Sequence, residues 1–155
     1  MSNTILVLNV RGTINAPYGV RQTLDCLKIS RRHRATIVKD HPTLRGMLKR
    51  SKEFIAWCDA DAEIIGALLD SRGMMKGGRP VPKNDLEKLG FKSMKDMAQV
   101  IASGDRSLAS IKDLKPSFAL APPRGGYKKS TRRSYGEGGV LGANPALKSL
   151  VKIMI

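Results

Sequence analysis

Aromatic residues are scarce in this chain: they make up 5% of its 155 residues, whereas hydrophobic residues as a whole make up 41%. Aliphatic and methionine side chains must therefore build most of the core. The length favours one domain, with room for an appendage. No stretch comes near the roughly 20 consecutive apolar residues of a membrane-spanning helix. The first ten residues lack the basic start and cleavage site of a secretion signal and predict a strand instead.

Residue types that commonly hold metals or carry out catalysis are equally few. The two cysteines, Cys26 and Cys58, form no CxxC pair, and we expect reduced thiols in a cytoplasmic protein. The two histidines, His33 and His41, have no second histidine or cysteine at metal-ligand spacing. The glycine-rich stretch 73–79 lacks the spacing and the preceding strand of a P-loop. We therefore predict a binding protein without metal, cofactor, small-molecule substrate or catalytic residue.

Acidic residues are outnumbered by basic ones, with 13 Asp and Glu against 28 Lys and Arg and a formal net charge of +15. Such an excess repels itself unless a polyanion is bound, so nucleic acid is the expected partner. An anionic membrane surface is the alternative. Its usual ligand is an amphipathic helix with a dense basic face and aromatic anchors, and no predicted helix has that composition.

Apolar spacing predicts alternating strands and helices. Aliphatic or β-branched runs and short flanking turns predict strands, whereas stripes at i, i+3, i+4 and i+7 predict helices. The predicted strands cover 4–10, 34–39, 53–57 and 116–120. The predicted helices begin at Pro17, Pro42, Asp61 and Ser93, and a last one begins at Asn144-Pro145, where Asn serves as the N-cap. Glycine and proline predict a loop over 72–84.

Two basic clusters lie in residues 28–52, which hold nine Lys or Arg and one acid, Asp40. One cluster is the loop Arg31, Arg32 and Arg34. The other is the second helix, where Arg45, Lys49 and Lys52 share one stripe at i, i+4 and i+7, and Arg50 adds a further charge. Like charges at this spacing destabilise an isolated helix, and bound phosphates would remove that cost. The alternative is a solvated basic face.

The segment 121–145 is basic and has little to bury; we call it the arm. Glycine lets backbone approach phosphates, arginine can bond two phosphate oxygens, and its tyrosines can stack on an unpaired base. The candidate contacts of the arm are Arg124, Gly125, Gly126, Lys128, Lys129, Arg132 and Arg133. We expect a loop tethered at the 116–120 strand and at the last helix, mobile in solution and ordered by its partner. A flexible basic linker is the alternative.

An ordered set of motifs resembles the L30 family of large-subunit ribosomal proteins. RGTIN follows the first strand, TLRGM opens the second helix and EFIAW forms the closing strand at 53–57. The later PPRGG, EGG and LG are similar to those of archaeal-type members. The resemblance covers essentially the whole chain.

The resemblance implies an α+β fold of the ferredoxin-like kind. It would have a small, mainly antiparallel β-sheet with helices on one face (a β-α-β-α-β core), a helical extension and a basic C-terminal arm. The resemblance divides the chain into a family core at 1–58, an archaeal-type extension packed on the core at 59–120, and the arm with the last helix at 121–155. The spacing of apolar residues alone does not distinguish this sheet from a parallel one.

The resemblance further implies a structural constituent of the large ribosomal subunit, located in the cytoplasm. Its partners would be the large, 23S-type rRNA, nearby 5S rRNA and neighbouring large-subunit proteins, with no membrane. An RNA-binding assembly factor, a translational regulator and an RNA-modifying enzyme are the alternative hypotheses.

Overall fold

The computed structural model describes residues 3–82 and 86–155, which build one six-stranded mixed sheet and five α-helices. The sheet order is β4-β2-β1-β3-β6-β5. The strands are β1 (Thr4–Asn9), β2 (Arg34–Lys39), β3 (Ile55–Asp59), β4 (Phe118–Ala119), β5 (Ser130–Ser134) and β6 (Gly139–Ala143). The helices are α1 (Tyr18–Cys26), α2 (Pro42–Arg50), α3 (Ala62–Arg72), α4 (Met94–Ser103) and α5 (Leu147–Met154).

The centre of the sheet is antiparallel. β1 pairs antiparallel with β2 on one side and with β3 on the other, and β4 adds antiparallel to β2. β6 and β5 then extend the β3 edge with parallel pairing. The α+β fold with a mainly antiparallel core is thereby confirmed, and a wholly parallel sheet is excluded.

Both faces of the sheet are covered, which explains why β1 is an unbroken aliphatic run. Successive strand residues point to opposite faces. Ile5 and Val7 pack with α1 and α2, whereas Leu6 and Leu8 pack with the core that α3, α4 and α5 cover. Helices α1 and α2 thus share one face as predicted, and α3, α4 and α5 cover the other.

Several element boundaries differ from the prediction. β3 starts at Ile55 rather than at 53, because the preceding residues form the turn after α2. α5 starts at Leu147, so Asn144 is not its N-cap. The Asn144 side chain is buried and accepts from the Ala146 N–H at 2.9 Å while donating to the Val140 carbonyl at 3.0 Å. It therefore fixes the turn that precedes the helix.

The arm differs most from the prediction of a loop reaching to 145. Its last part is β6, which lies inside the sheet between β3 and β5 and buries Val140 and Leu141. Val140 and Leu141 are its two large apolar side chains, and the strand is otherwise held by backbone pairing with β3 and β5. The predicted 72–84 loop begins after α3 ends at Arg72, and its residues 83 and 84 lie outside the described part.

Candidate nucleic-acid interface

The register of the sheet decides which loops meet. β1 ends at Asn9, and both β2 and β3 begin there, because Leu8 pairs with Ala35 and Asn9 pairs with Ile55. The segments before β2 and before β3 therefore emerge together. We call this side of the sheet the Asn9 end, and the opposite side, where β2 and β3 finish, the Thr4 end.

The basic loop, residues 31–34, lies at the Asn9 end and is held by its own arginines. The Arg32 Nε donates to the Val10 carbonyl at 2.9 Å, and an Arg34 terminal nitrogen donates to the Ser117 Oγ at 3.2 Å. Arg31 is exposed and has no ion-pair partner within the described ranges. The loop therefore presents three guanidinium groups, two of which are oriented by neutral acceptors that leave their charge uncompensated.

The basic row on α2 is shorter than the sequence predicts. The helix ends at Arg50, with Ser51 as its C-cap, so Lys52 belongs to the following turn rather than to a helical stripe. Lys49, Arg50 and Lys52 are exposed at the Asn9 end, whereas Arg45 lies towards the Thr4 end of the helix. The structure therefore places three of the four predicted α2 cations at the same end of the sheet as the basic loop.

Arg45 is engaged within the protein. Its Nε donates to the Asp40 carboxylate at 2.7 Å, and a terminal nitrogen forms an ion pair with the same carboxylate. This hydrogen bond and charge lower the pKa of Asp40 below its usual range. Arg45 consequently has part of its charge compensated before any partner is bound.

The arm crosses the molecule from one sheet edge to the other, because β4 and β5 are the two edge strands. Along the way the Ala121 N–H donates to the Met154 carbonyl at 3.1 Å. Gly125 and Gly126 have φ of 76° and 75°, a backbone region that favours glycine, and both face open space. The five predicted cations of the arm, Arg124, Lys128, Lys129, Arg132 and Arg133, are all exposed.

A tyrosine–histidine contact joins the arm to the basic loop. The Tyr127 hydroxyl lies 3.0 Å from His33 Nδ1, and the two rings stack with centroids 5.9 Å apart. Burial, together with the nearby Arg32 charge, lowers the pKa of His33, while burial raises the pKa of Tyr127. A neutral imidazole can accept from a protonated phenol, so both shifts favour this hydrogen bond at neutral pH. Two clusters separated by about 90 residues therefore form one surface.

Acidic groups concentrate at the other end of the sheet. Asp40 follows β2 and Asp59 ends β3, while Asp61 is the N-cap of α3 and Glu63 lies in its first turn. The last two are paired with α5, through Lys148 Nζ to Asp61 at 2.6 Å and Lys152 Nζ to Glu63 at 2.7 Å. The Thr4 end is thus locally compensated, whereas at the Asn9 end the exposed cations of the basic loop, of the end of α2 and of the arm outnumber the nearby acids Asp25 and Glu53.

Two cations near this surface escaped the sequence prediction. Lys28 and Lys115 line a cavity together with Arg31 and Arg34. Lys28 begins the basic stretch 28–52 but lies outside the predicted Arg31, Arg32 and Arg34 cluster, and Lys115 is far away in the chain. Only the β2–β4 pairing brings Lys115 near the basic loop, and no local pattern announces that pairing.

Neither a metal site nor a membrane span is found in the described part of the chain. Among residues 3–82 and 86–155, no group of three His, Cys, Asp or Glu side chains is placed to hold a metal ion. None of the helices described there combines the length and apolarity needed to cross a bilayer.

A surface of this kind, formed by loops and an arm at one end of a small α+β sheet, is typical of proteins that bind nucleic acid backbones. Residues 5–55 match the family model described as Ribosomal protein L30p/L7e. Over all 155 residues the chain is 41% identical to the large ribosomal subunit protein uL30 of Nitrosopumilus maritimus and 39% identical to that of Cenarchaeum symbiosum, each covering both chains completely. The uL30 protein of Ignicoccus hospitalis is 35% identical, with 97% of this chain and 96% of the relative covered. The chain belongs to the uL30 family of large ribosomal subunit proteins.

Proposed function

We propose that this protein is a structural constituent of the large ribosomal subunit and binds the large rRNA with its Asn9 end. The observation that carries the proposal is the convergence of the basic loop, the end of α2 and the arm on one side of the sheet. The proposal that this protein joins the large ribosomal subunit is supported by its full-length similarity to proteins named large ribosomal subunit protein uL30. The finer part of the proposal is that the protein acts in the cytoplasm, contacts neighbouring ribosomal proteins and lies near the 5S rRNA.

The mechanism is docking by charge and shape. Arginine and lysine on loops reach phosphate oxygens and fix the orientation of the protein without reading bases. Each phosphate contact releases counterions, so the logarithm of the affinity falls with the logarithm of salt concentration by roughly 0.7–0.9 per contact. Within the predicted set, Arg45 should contribute least, because Asp40 already holds it.

The arm adds contacts of a different kind. β5 is an edge strand, and its Arg132 and Arg133 are exposed. Lys129 Nζ lies 4.6 Å from the centroid of the Tyr135 ring, which positions this ammonium group over the ring and leaves it accessible. We assign Arg124, Gly125, Gly126, Lys128, Lys129, Arg132 and Arg133 to rRNA contact on this basis.

Sedimentation of a lysate that contains the tagged protein tests the assembly. We expect the protein to migrate with large subunits through high-salt washing, because many phosphate contacts must break together before it dissociates. A pool confined to the top of the gradient would contradict a structural role and favour an assembly factor or a regulator.

Charge removal tests the surface. We expect Lys128→Gln/Lys129→Gln to weaken binding to purified large-subunit rRNA and to lower the salt dependence. The matched control is Lys39→Gln/Lys95→Gln, which removes two exposed charges, from the Thr4 end and from α4. Reversing Arg45 is a poorer test, since it would leave Asp40 facing a like charge. Equal affinities of the arm variant and the control would refute the assignment.

A further inference from the structure

A basic cleft opens beside the basic loop, between the loop that links α1 to β2 and the segment that enters β4. Its volume is about 470 Å³. Two lysines, two arginines and two serines provide its polar lining: Lys28, Ser30, Arg31, Arg34, Lys115 and Ser117. No carboxylate of the described residues lines it.

Both walls of the cleft are fixed by buried polar side chains. Asn9 is fully buried, and its amide donates to the Ile29 carbonyl at 2.6 Å, which holds the α1–β2 loop. Thr36 is also buried, and its hydroxyl donates to the Pro116 carbonyl at 2.6 Å, which holds the opposite wall. The cations therefore converge on a preformed surface, and a ligand would not have to order the backbone when it binds.

The cleft has donors without matching acceptors. One terminal nitrogen of Arg34 donates to the Ser117 Oγ at 3.2 Å. A guanidinium has five N–H donors, so other N–H groups of Arg34 can donate to a ligand. Asp25 is a nearby carboxylate outside the lining, and it accepts a hydrogen bond from the Ser30 hydroxyl, so Ser30 has no O–H left to donate to a ligand. Four like charges that face one cavity repel one another, and an anion between them would remove that repulsion.

We propose that this cleft binds a phosphodiester of the large-subunit rRNA; the proposal rests on the function proposed above and adds Lys28, Lys115 and Ser117 to the interface. Arginine, lysine and serine are common donors to nucleic acid phosphates. None of the described side chains that line the cleft is aromatic, so they offer no platform on which a base could stack. The cleft therefore binds backbone and does not select sequence.

The extension of the chain completes this site. Lys115 and Ser117 lie outside the segment that matches the family model, residues 5–55, whereas Lys28, Arg31 and Arg34 lie within it. The matched core by itself would offer an open basic loop. The added wall converts that loop into a two-sided clamp.

The test compares Lys28→Gln/Lys115→Gln with the control Lys39→Gln/Lys95→Gln, using full-length protein and purified large-subunit rRNA. We expect the salt dependence of the first variant to fall by about 0.7–0.9 in the log–log slope for each phosphate interaction that the substitutions remove. The control should keep the slope of the unmodified protein. Lys28→Arg/Lys115→Arg should restore the slope, since the charges return.

A second measurement separates binding from folding. The two lysines are not buried, so a role in binding predicts that Lys28→Gln/Lys115→Gln melts at the same temperature as the unmodified protein or higher, because repulsion is relieved. A lower melting temperature together with an unchanged slope would show that the lysines support the fold, and it would overturn the proposal.

The outcomes also separate this site from the general function. If the unmodified protein does not bind rRNA, the proposed function fails. If it binds and the Lys28→Gln/Lys115→Gln slope equals that of the control, only the cleft proposal fails. Titration with inorganic phosphate tests for a free-anion site: saturation in the micromolar range with an unchanged rRNA slope would overturn the assignment to RNA.

Discussion

Gly139, the first residue of β6, offers a way to displace the arm without removing any charge. A Cβ at this position would overlap the Arg133 carbonyl oxygen, and it would lie 2.8 Å from the Arg133 Cβ, where real Cβ atoms keep at least 3.0 Å. Most of this conflict is with backbone, which cannot rotate away as a side chain can. Gly139→Ala therefore forces β5 and β6 apart.

The size of the effect follows from the position of the two strands. Overpacking of this kind typically costs about 1–3 kcal/mol. β5 is an exposed edge strand, while β6 is also paired with β3, so β5 should separate first. We expect a small loss of overall stability, a large loss of amide protection in β5, and weaker rRNA binding because Arg132 and Arg133 are no longer positioned.

Hydrogen exchange of the free protein and rRNA affinity at a fixed salt concentration measure these effects. Gly136→Ala is the matched control, because a Cβ there meets nothing within 4 Å and the backbone needs no left-handed conformation. If Gly139→Ala loses β5 protection and keeps its rRNA affinity, the arm is not part of the interface. If β5 protection is unchanged, the inferred steric conflict is wrong.

Four further variants or measurements test single contacts. Tyr127→Phe should lower the free energy of unfolding by about 0.5–1.5 kcal/mol in urea titrations, through loss of the hydroxyl bond to His33; no change would argue against that bond. Because the pKa of His33 is lowered in the folded state, its contribution to stability should be complete above the unfolded pKa of about 6.5 and should be lost as the pH falls from there through the folded pKa. His33→Asn should flatten the dependence of stability on pH between about pH 7.5 and 5. An unchanged profile would show that another group causes the dependence. Ser51→Ala should raise stability by about 1 kcal/mol, since the buried Ser51 hydroxyl has no hydrogen-bond partner among the described residues, and a loss would reveal one. Thiol alkylation at pH 8 should modify the exposed Cys26 and spare the buried Cys58, whose pKa burial raises to about 11; equal rates would contradict this protection.

The parts of the fold that the sequence predicts well are those governed by local patterns. The stripe of Val20, Leu24 and Leu27 identified α1, and all three residues are buried. Ser93 caps α4 by accepting from the Asp96 N–H at 3.1 Å, and Gly104 ends that helix in the left-handed conformation. Each of these signals depends on residues within two turns of one another, which a single sequence displays directly.

The parts that could not be predicted depend on pairing across long separations. β6 is positioned by backbone hydrogen bonds to β3, which lies about 85 residues earlier in the chain. Only two of its residues, Val140 and Leu141, have large apolar side chains that would predict a buried strand. The clamp formed by Lys28 and Lys115 likewise exists because β4 pairs with β2. The basic residues themselves were visible in the sequence; the strand order that gathers most of them at one end was not.

The distribution of charge links stability to function in this protein. At the Thr4 end, Lys148 and Lys152 are paired with the acids that begin α3, and those pairs join α5 to the rest of the fold. At the Asn9 end, Arg31, Lys49 and Lys128 lack such partners within the described residues, so repulsion among them works against folding. A polyanion bound at that end would remove the repulsion and would bind the folded state preferentially, which stabilises it by mass action. The same side chains that make the free protein less stable therefore supply the driving force for its assembly with RNA.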